Sequence, residues 1–194
     1  MASESEYVNK ASETLRDIVA DVIRLLKQAG ETVSVAESLT GGGIMAAITS
    51  VEGASAVFRG GVVSYATSLK EQLLNVDADL ISQCGVINAD VAEQMAVGAR
   101  IITSIGSTPT TWGIGTTGVA GPDSQDGKPV GMVFIGIASP DWSKAWGPFR
   151  FMGNRDRIRE TTVMEAMARL RETLRRREIP RDILNGVDDE EAAR

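Results

Sequence analysis

Between residues 8 and 26 the apolar positions Val8, Ala11, Leu15, Ile18, Val22 and Leu25 recur at steps of three and four, the spacing that lines one face of an α-helix. Gly30 closes that helix. A short β-rich run at 32–36 follows, and Glu37-Ser38-Leu39-Thr40-Gly41-Gly42-Gly43 then leads into helix-forming residues 44–48, the order strand, glycine turn, helix. A second apolar strand is predicted at 62–65, after Gly60-Gly61. Ser68-Leu69-Lys70-Glu71 has the Ser-x-x-Glu spacing of a capping box, which puts Lys70 in a helix's first turn. Residues 77–84 read as a short helix stopped by Gly85, and Asn88 as the N-cap of a longer one running to Gly106. Further strands are predicted at 111–116, 132–138 and 145–151, the last two forming a hairpin around Ser139-Pro140-Asp141, with a glycine-proline loop at 118–127. Asn154 caps a final long helix that runs to about 177, before Pro180.

Strands alternating with helices, then a hairpin, predict one α/β domain of three α/β/α layers around a mixed, mostly parallel sheet. It is expected to span residues 1–180, with an acidic, flexible tail at 181–194. Sites in such folds lie at the C-terminal ends of strands. Ser38, residues 65–70 and residues 116–121 all follow predicted strands, so they are expected to converge on one crevice.

Composition narrows the chemistry. The chain of 194 residues has no histidine, which excludes a Ser-His-Asp triad, a Cys-His dyad, a histidine base and any imidazole metal site. A nucleophile here needs another activator, and a lysine serves when its surroundings lower its pKa. The single cysteine, Cys84, cannot form an internal disulfide or a Cys-x-x-Cys pair, so no oxidising compartment is needed. The acidic, polar N-terminus carries no signal pattern, and no apolar run approaches the roughly 20 residues that span a bilayer, so the expected location is the cytoplasm. A net charge of −6 argues against nucleic-acid and anionic-membrane partners. Residues 150–181 nevertheless hold ten arginines against five acidic residues, and their interleaving reads as a solvated, charged helix face.

Two phosphate-loop patterns fail on context. Gly113 to Gly118 matches G-x-G-x-x-G after a strand, but no helix opens behind it to hold a pyrophosphate. Gly121 to Lys128 has the wrong glycine spacing for a Walker A loop, and Pro129 stands where its metal-binding hydroxyl belongs. The turn at 37–43 leaves three readings open: its backbone N–H groups can hold an oxyanion beside Ser38, hold a phosphate, or merely need glycine for a tight turn. Lys70, opposed by a helix dipole, favours its neutral form as a base requires, although taken alone the position reads first as an exposed lysine lying over solvent. Tyr65 can relay a proton, orient Lys70 or simply pack. Thr67 is a competing nucleophile by spacing or a neighbour of the helix cap. Arg155, opening the last helix, is a candidate phosphate ligand, against the alternative of an ordinary charged helix start. No metal and no cofactor are implied.

Taken in order, Ala36-Glu37-Ser38-x-Thr40-Gly41-Gly42, Phe58-x-Gly60-Gly61-Val62-Val63-x-Tyr65, Lys70, Gly118-Val119-Ala120-Gly121-Pro122, Lys128-Pro129-Val130-Gly131 and Gly153-x-Arg155 resemble the C-terminal domain of the competence/damage-inducible protein CinA. The resemblance covers about residues 10–175. Stand-alone members of that family are nicotinamide-nucleotide amidohydrolases. The resemblance therefore implies hydrolysis of nicotinamide mononucleotide to nicotinate mononucleotide and ammonia, with Ser38 as nucleophile, Lys70 as base and Tyr65 assisting. It further implies that the N–H groups around Thr40, Gly41 and Gly42 hold the oxyanion, that Thr117 and Gly118 line the nucleotide pocket, that Arg155 meets the phosphate, and that the protein is a homodimer. Three positions depart from the family's usual pattern: Leu39 for cysteine, Ala66-Thr67 for Ser-Asn, and the doubled hydroxyl of Thr116-Thr117. The alternatives are a non-catalytic module of the same fold that binds a pyridine nucleotide or phosphate, and an interaction protein acting through its arginine-rich last helix.

Overall fold

A computed structural model describes residues 13–178. In chain order it comprises α1 (Leu15–Ala29), β1 (Val33–Glu37), α2 (Gly43–Thr49), a 3-10 turn (Ala54–Ala56), β2 (Phe58–Val63), α3 (Thr67–Leu74), α4 (Ala78–Cys84), α5 (Ala89–Ile102), β3 (Trp112–Gly118), β4 (Met132–Ala138), β5 (Ser143–Arg150) and α6 (Arg155–Glu178). Most helices begin where a short polar side chain can accept from the free amides of the first turn. Thr14 and Asp17 form a reciprocal capping box on α1, Asp77 caps α4, Asn88 caps α5, and Asn154 accepts from Arg157 N–H at the start of α6. Gly30, at φ 66°, closes α1 in the left-handed conformation that glycine adopts without strain. Val8, Ala11, Pro180 and the acidic tail lie outside the described residues.

The sheet order is β2-β1-β3-β4-β5. β1 is flanked by parallel β2 and β3, and β3, β4 and β5 form an antiparallel meander, so four of the five strands point the same way. The main apolar core lies between the sheet and α1, α2 and α6. On the other face α5 carries Val91, Met95 and Ala99 against Ala36 and Leu74. This is the expected three-layer α/β/α arrangement. Gly113, Gly115 and Gly136 explain the failed dinucleotide pattern: a Cβ at any of them would collide with the backbone of Ala92 or Ala96, so these glycines let α5 lie directly on the strands.

Four expectations need correction. β2 begins at Phe58, with Gly60 and Gly61 inside the strand; a side chain at Gly61 would strike the Val35 carbonyl, and the β1–β2 register slips between Val33 and Ser34. Ser68 does not cap α3, which starts at Thr67 with Ala66 as an N-cap that offers no side-chain acceptor. α5 stops at Ile102, where Thr103 and Thr110 hydroxyls bond each other and tie its end to the approach of β3. Finally, the arginines of α6 are not a uniformly solvated face. Arg171 is 3% exposed and bonds both carboxylate oxygens of Glu13, Arg175 bonds Asp21, and buried Arg169 pairs with Glu165 while lying over the Phe149 ring. Ion pairs therefore stitch α6 to α1. No helix among the described residues is long and apolar enough to cross a membrane.

Candidate active site

β1 ends at Glu37, and the chain bends at Ser38, whose N–H donates to Thr116 O on β3 at 3.1 Å. The glycine turn then reverses direction through Gly41 and Gly42 at φ 60° and 95°, which a side chain would strain. The Glu37 side chain, fully buried, accepts from the N–H groups of Gly42 (2.8 Å), Ile44 (3.2 Å) and Met45 (2.9 Å). The free amides at the start of α2 are thus already satisfied by an anion built into the chain. Gly41 N–H donates to Ser38 O at 3.1 Å. The structure therefore corrects the expectation that Gly41 and Gly42 amides await an oxyanion or a phosphate, because both are committed. Thr40 is also turned inward, its hydroxyl sharing a 2.9 Å bond with that of Thr116 and its carbonyl accepting from Arg159. The N–H groups of Leu39 and Thr40 meet no acceptor among the described residues.

Lys70 projects from α3 to the same place. It is 1% exposed, and its Nζ donates to the carbonyls of Ser64 (2.7 Å) and, more weakly, Tyr65 (3.5 Å). Burial penalises the ammonium and brings its pKa down from 10.5 to about 8. The cause is desolvation, where the sequence pointed to the helix dipole. Tyr65 meets the lysine only through its backbone. Its side chain is 59% exposed, and its hydroxyl accepts from Arg155 at 2.7 Å, while the same guanidinium donates to Gly121 O at 2.6 Å. Arg155 thereby ties the β2–α3 loop to the loop after β3.

Ser38, Tyr65, Lys70, Gly118 and Arg155 line one cavity of about 170 Å³ at the C-terminal ends of the parallel strands. Leu39, Val86, Ile87 and Val119 form its apolar wall, and Thr67, Asp123 and Gln125 complete it. Thr117 is buried and acts from behind: its hydroxyl donates to Val86 O at 2.6 Å and holds that wall in place. Thr40, Gly41 and Gly42 do not face the cavity. Glu37, Val86, Ile87, Asp123 and Gln125 were not among the expected site residues. For Glu37 a signal existed, a carboxylate between a strand and a glycine turn; for the others the only signal is position in loops that the fold folds back. Among the described residues no cluster of three or more His, Cys, Asp or Glu could hold a metal ion.

Residues 15–174 match the model of the CinA C-terminal domain. The chain belongs to that family. It is 44% identical over 167 residues to a CinA-like protein of Acaryochloris marina, an alignment covering 84% of this chain and 37% of the relative. A CinA-like protein of Frankia casuarinae is likewise 44% identical over 153 residues, covering 79% and 34%. The chain thus spans little more than a third of the curated relatives it matches. Among solved structures, the competence/damage-inducible protein CihA of Agrobacterium tumefaciens superposes with a TM-score of 0.76 at 29% identity, covering 86% of this chain and 99% of that one. A CinA superfamily protein of Klebsiella pneumoniae gives 0.78 at 25% identity, covering 84% and 99%. These likenesses establish the CinA-type α/β domain and leave the chemistry to the residues themselves.

Proposed function

We propose that this CinA-type domain is an amidohydrolase that converts nicotinamide mononucleotide to nicotinate mononucleotide and ammonia. One observation carries the reading: a lysine 1% exposed, with a pKa of about 8, shares a small cavity with a serine at the end of a parallel strand. Burying an ammonium is costly, and a base near neutral pH is what that cost supplies. Neutral Lys70 receives the Ser38 proton as Oγ bonds to the carboxamide carbon, and the carbonyl π pair moves onto oxygen. The N–H of Leu39, a residue that lines the cavity, is the donor left to hold that oxyanion. The Lys70 ammonium then protonates the departing nitrogen, ammonia leaves, and water releases the acyl group by the same route in reverse. The apolar wall of Leu39, Val86, Ile87 and Val119 accommodates the flat pyridine ring, and the Arg155 guanidinium exchanges its neutral partners for the phosphate. Tyr65 serves this mechanism by positioning Arg155.

The test is ammonia release from nicotinamide mononucleotide by wild type, Ser38→Ala and Lys70→Ala, with nicotinate mononucleotide identified as the second product. Release by wild type and near-complete loss in both variants is the expected result. A folded wild type that binds the nucleotide without releasing ammonia would overturn the amidase reading in favour of a binding module. The same reading places the activity in the cytoplasm, on a homodimer, which sedimentation of the purified protein checks.

A further inference from the structure

The register of β1 on β2 brings two serines together. Ala36 pairs with Val62 and Glu37 with Val63, so the next step sets Ser38 opposite Ser64, whose N–H donates to Glu37 O at 2.9 Å. Successive residues of a strand alternate faces. Glu37 turns toward α2 and Val62 packs with α3 and α5, so Ser38 and Ser64 share the face that carries Lys70. Lys70 Nζ is anchored on Ser64's own carbonyl at 2.7 Å, yet no hydrogen bond joins Lys70 to Ser38 Oγ among the described residues. The Ser64 hydroxyl is wholly buried and has no hydrogen-bond partner. An unpaired buried hydroxyl costs about 1–3 kcal/mol, so one retained on the residue whose carbonyl anchors Lys70, and opposite Ser38 in register, calls for a function.

We propose that the Ser64 hydroxyl relays the proton between Ser38 and Lys70, an inference that rests on the Ser38–Lys70 chemistry above. In the attack, the Ser38 O–H bond breaks as Oγ bonds to the acyl carbon and the carbonyl π pair moves onto oxygen. The released proton bonds to Ser64 Oγ, whose own proton passes to the lone pair of neutral Lys70. Ser64 is again a hydroxyl, Lys70 is an ammonium, and the charge balances the oxyanion. Lys70 then gives a proton to Ser64 Oγ as the Ser64 hydroxyl proton bonds to the leaving nitrogen, the oxyanion pair re-forms the carbonyl, and the C–N bond breaks to release ammonia.

The experiment reads Ser38 itself, independently of the natural substrate. Purified wild type, Ser64→Ala, Ser64→Thr and Lys70→Ala are treated with a fluorophosphonate, the modified residue is identified by peptide mapping, and ammonia release from nicotinamide mononucleotide is measured in parallel. Positioned proton transfer is worth about 10²-fold or more. Ser38 labelling is therefore expected to slow by that order in Ser64→Ala and to recover within several-fold in Ser64→Thr, with the thermal midpoint of Ser64→Ala no lower than wild type because an unpaired group has been removed. A second measurement needs no variant: the wild-type labelling rate against deuterium fraction is expected to curve, as two protons in flight require. Wild-type labelling in Ser64→Ala, a straight deuterium dependence, or no labelling of wild-type Ser38 would each overturn the relay. Labelling that depends on Ser64, in a wild type that releases no ammonia from the nucleotide, upholds the relay and removes the substrate assignment alone.

Discussion

Replacing Lys70 by methionine keeps most of the buried volume and deletes the charge, which makes the cost of holding that charge measurable. The lysine is 1% exposed, and burial lowers its pKa from 10.5 to about 8. That gap corresponds to on the order of 3 kcal/mol of folding free energy. The sign follows from which state binds the proton. Below about pH 8 both folded and unfolded chains carry the ammonium, and the folded state bears the full penalty. Between about 8 and 10.5 the unfolded lysine holds a proton that the folded one has released, so wild-type stability rises with pH. Above 10.5 the penalty is gone. Methionine also leaves the Ser64 carbonyl without its donor, a loss of roughly 1 kcal/mol that does not change with pH. Lys70→Met is therefore expected to be inactive yet more stable than wild type by about 1–3 kcal/mol at pH 7, with the advantage shrinking by about 3 kcal/mol toward pH 10.5. Urea unfolding followed by circular dichroism at several pH values measures the difference, and titration of the other lysines and tyrosines cancels between the two proteins. A difference that stays flat within about 0.5 kcal/mol, or that grows with pH, would refute the buried-ammonium reasoning.

The same group sets the pH–rate profile: kcat/KM for ammonia release is expected to rise about tenfold per pH unit at low pH and to level near pH 8, where Lys70 becomes neutral; a profile flat from pH 6 to 9 would count against a lysine base. Glu37→Gln exchanges a carboxylate that accepts three backbone N–H bonds for an amide that repels some of them, and is expected to cost about 2–4 kcal/mol in urea unfolding with an unchanged m-value. Arg155→Ala is expected to raise KM for nicotinamide mononucleotide by about 10- to 100-fold while changing kcat/KM for the phosphate-free nicotinamide riboside far less, as steady-state assays on both substrates would show. Because a lysine supplies the base, EDTA is expected to leave the rate of ammonia release intact, and abolition by the chelator would remove the mechanism.

What was legible in the sequence is what short-range chemistry decides. Gly30, Asp77, Gly85, Asn88 and Asn154 each end or start a helix through a bond to a residue a few positions away, and the structure keeps all five. The alternation of strand and helix sufficed to bring Ser38, Lys70 and Gly118 to one cavity, since strand ends of a parallel sheet collect on one edge. What was not legible depends on partners far along the chain. Gly60 and Gly61 looked like a break before a strand; they lie inside one, Gly61 because β1 passes too close for a side chain and Gly60 because its φ of 124° suits glycine. Arg171 looked solvated; it is buried because Glu13, 158 positions away, meets its guanidinium. Tyr65 looked like a partner of Lys70, and the loop geometry instead turns it outward to Arg155.

The turn after Ser38 shows how such a long-range fact redirects chemistry. From the sequence, a run of glycines entering a helix offers amides to any anion. In the fold, the residue immediately before the nucleophile fills that place, with Glu37 holding Gly42, Ile44 and Met45. An internal carboxylate already occupies the start of α2 and leaves no place there for a second anion, so under the proposed function the nucleotide's phosphate is met instead at the exposed guanidinium of Arg155 in the same cavity. It also fixes the backbone that presents Ser38, because the chain on either side of the serine is held by β1's ladder and by the bonded turn. Under the proposed function the oxyanion is left to Leu39 N–H, the amide that immediately follows the nucleophile and remains uncommitted among the described residues. Under the proposed function, a carboxylate that takes the helix amides for itself thus separates the acyl-transfer centre from the phosphate subsite.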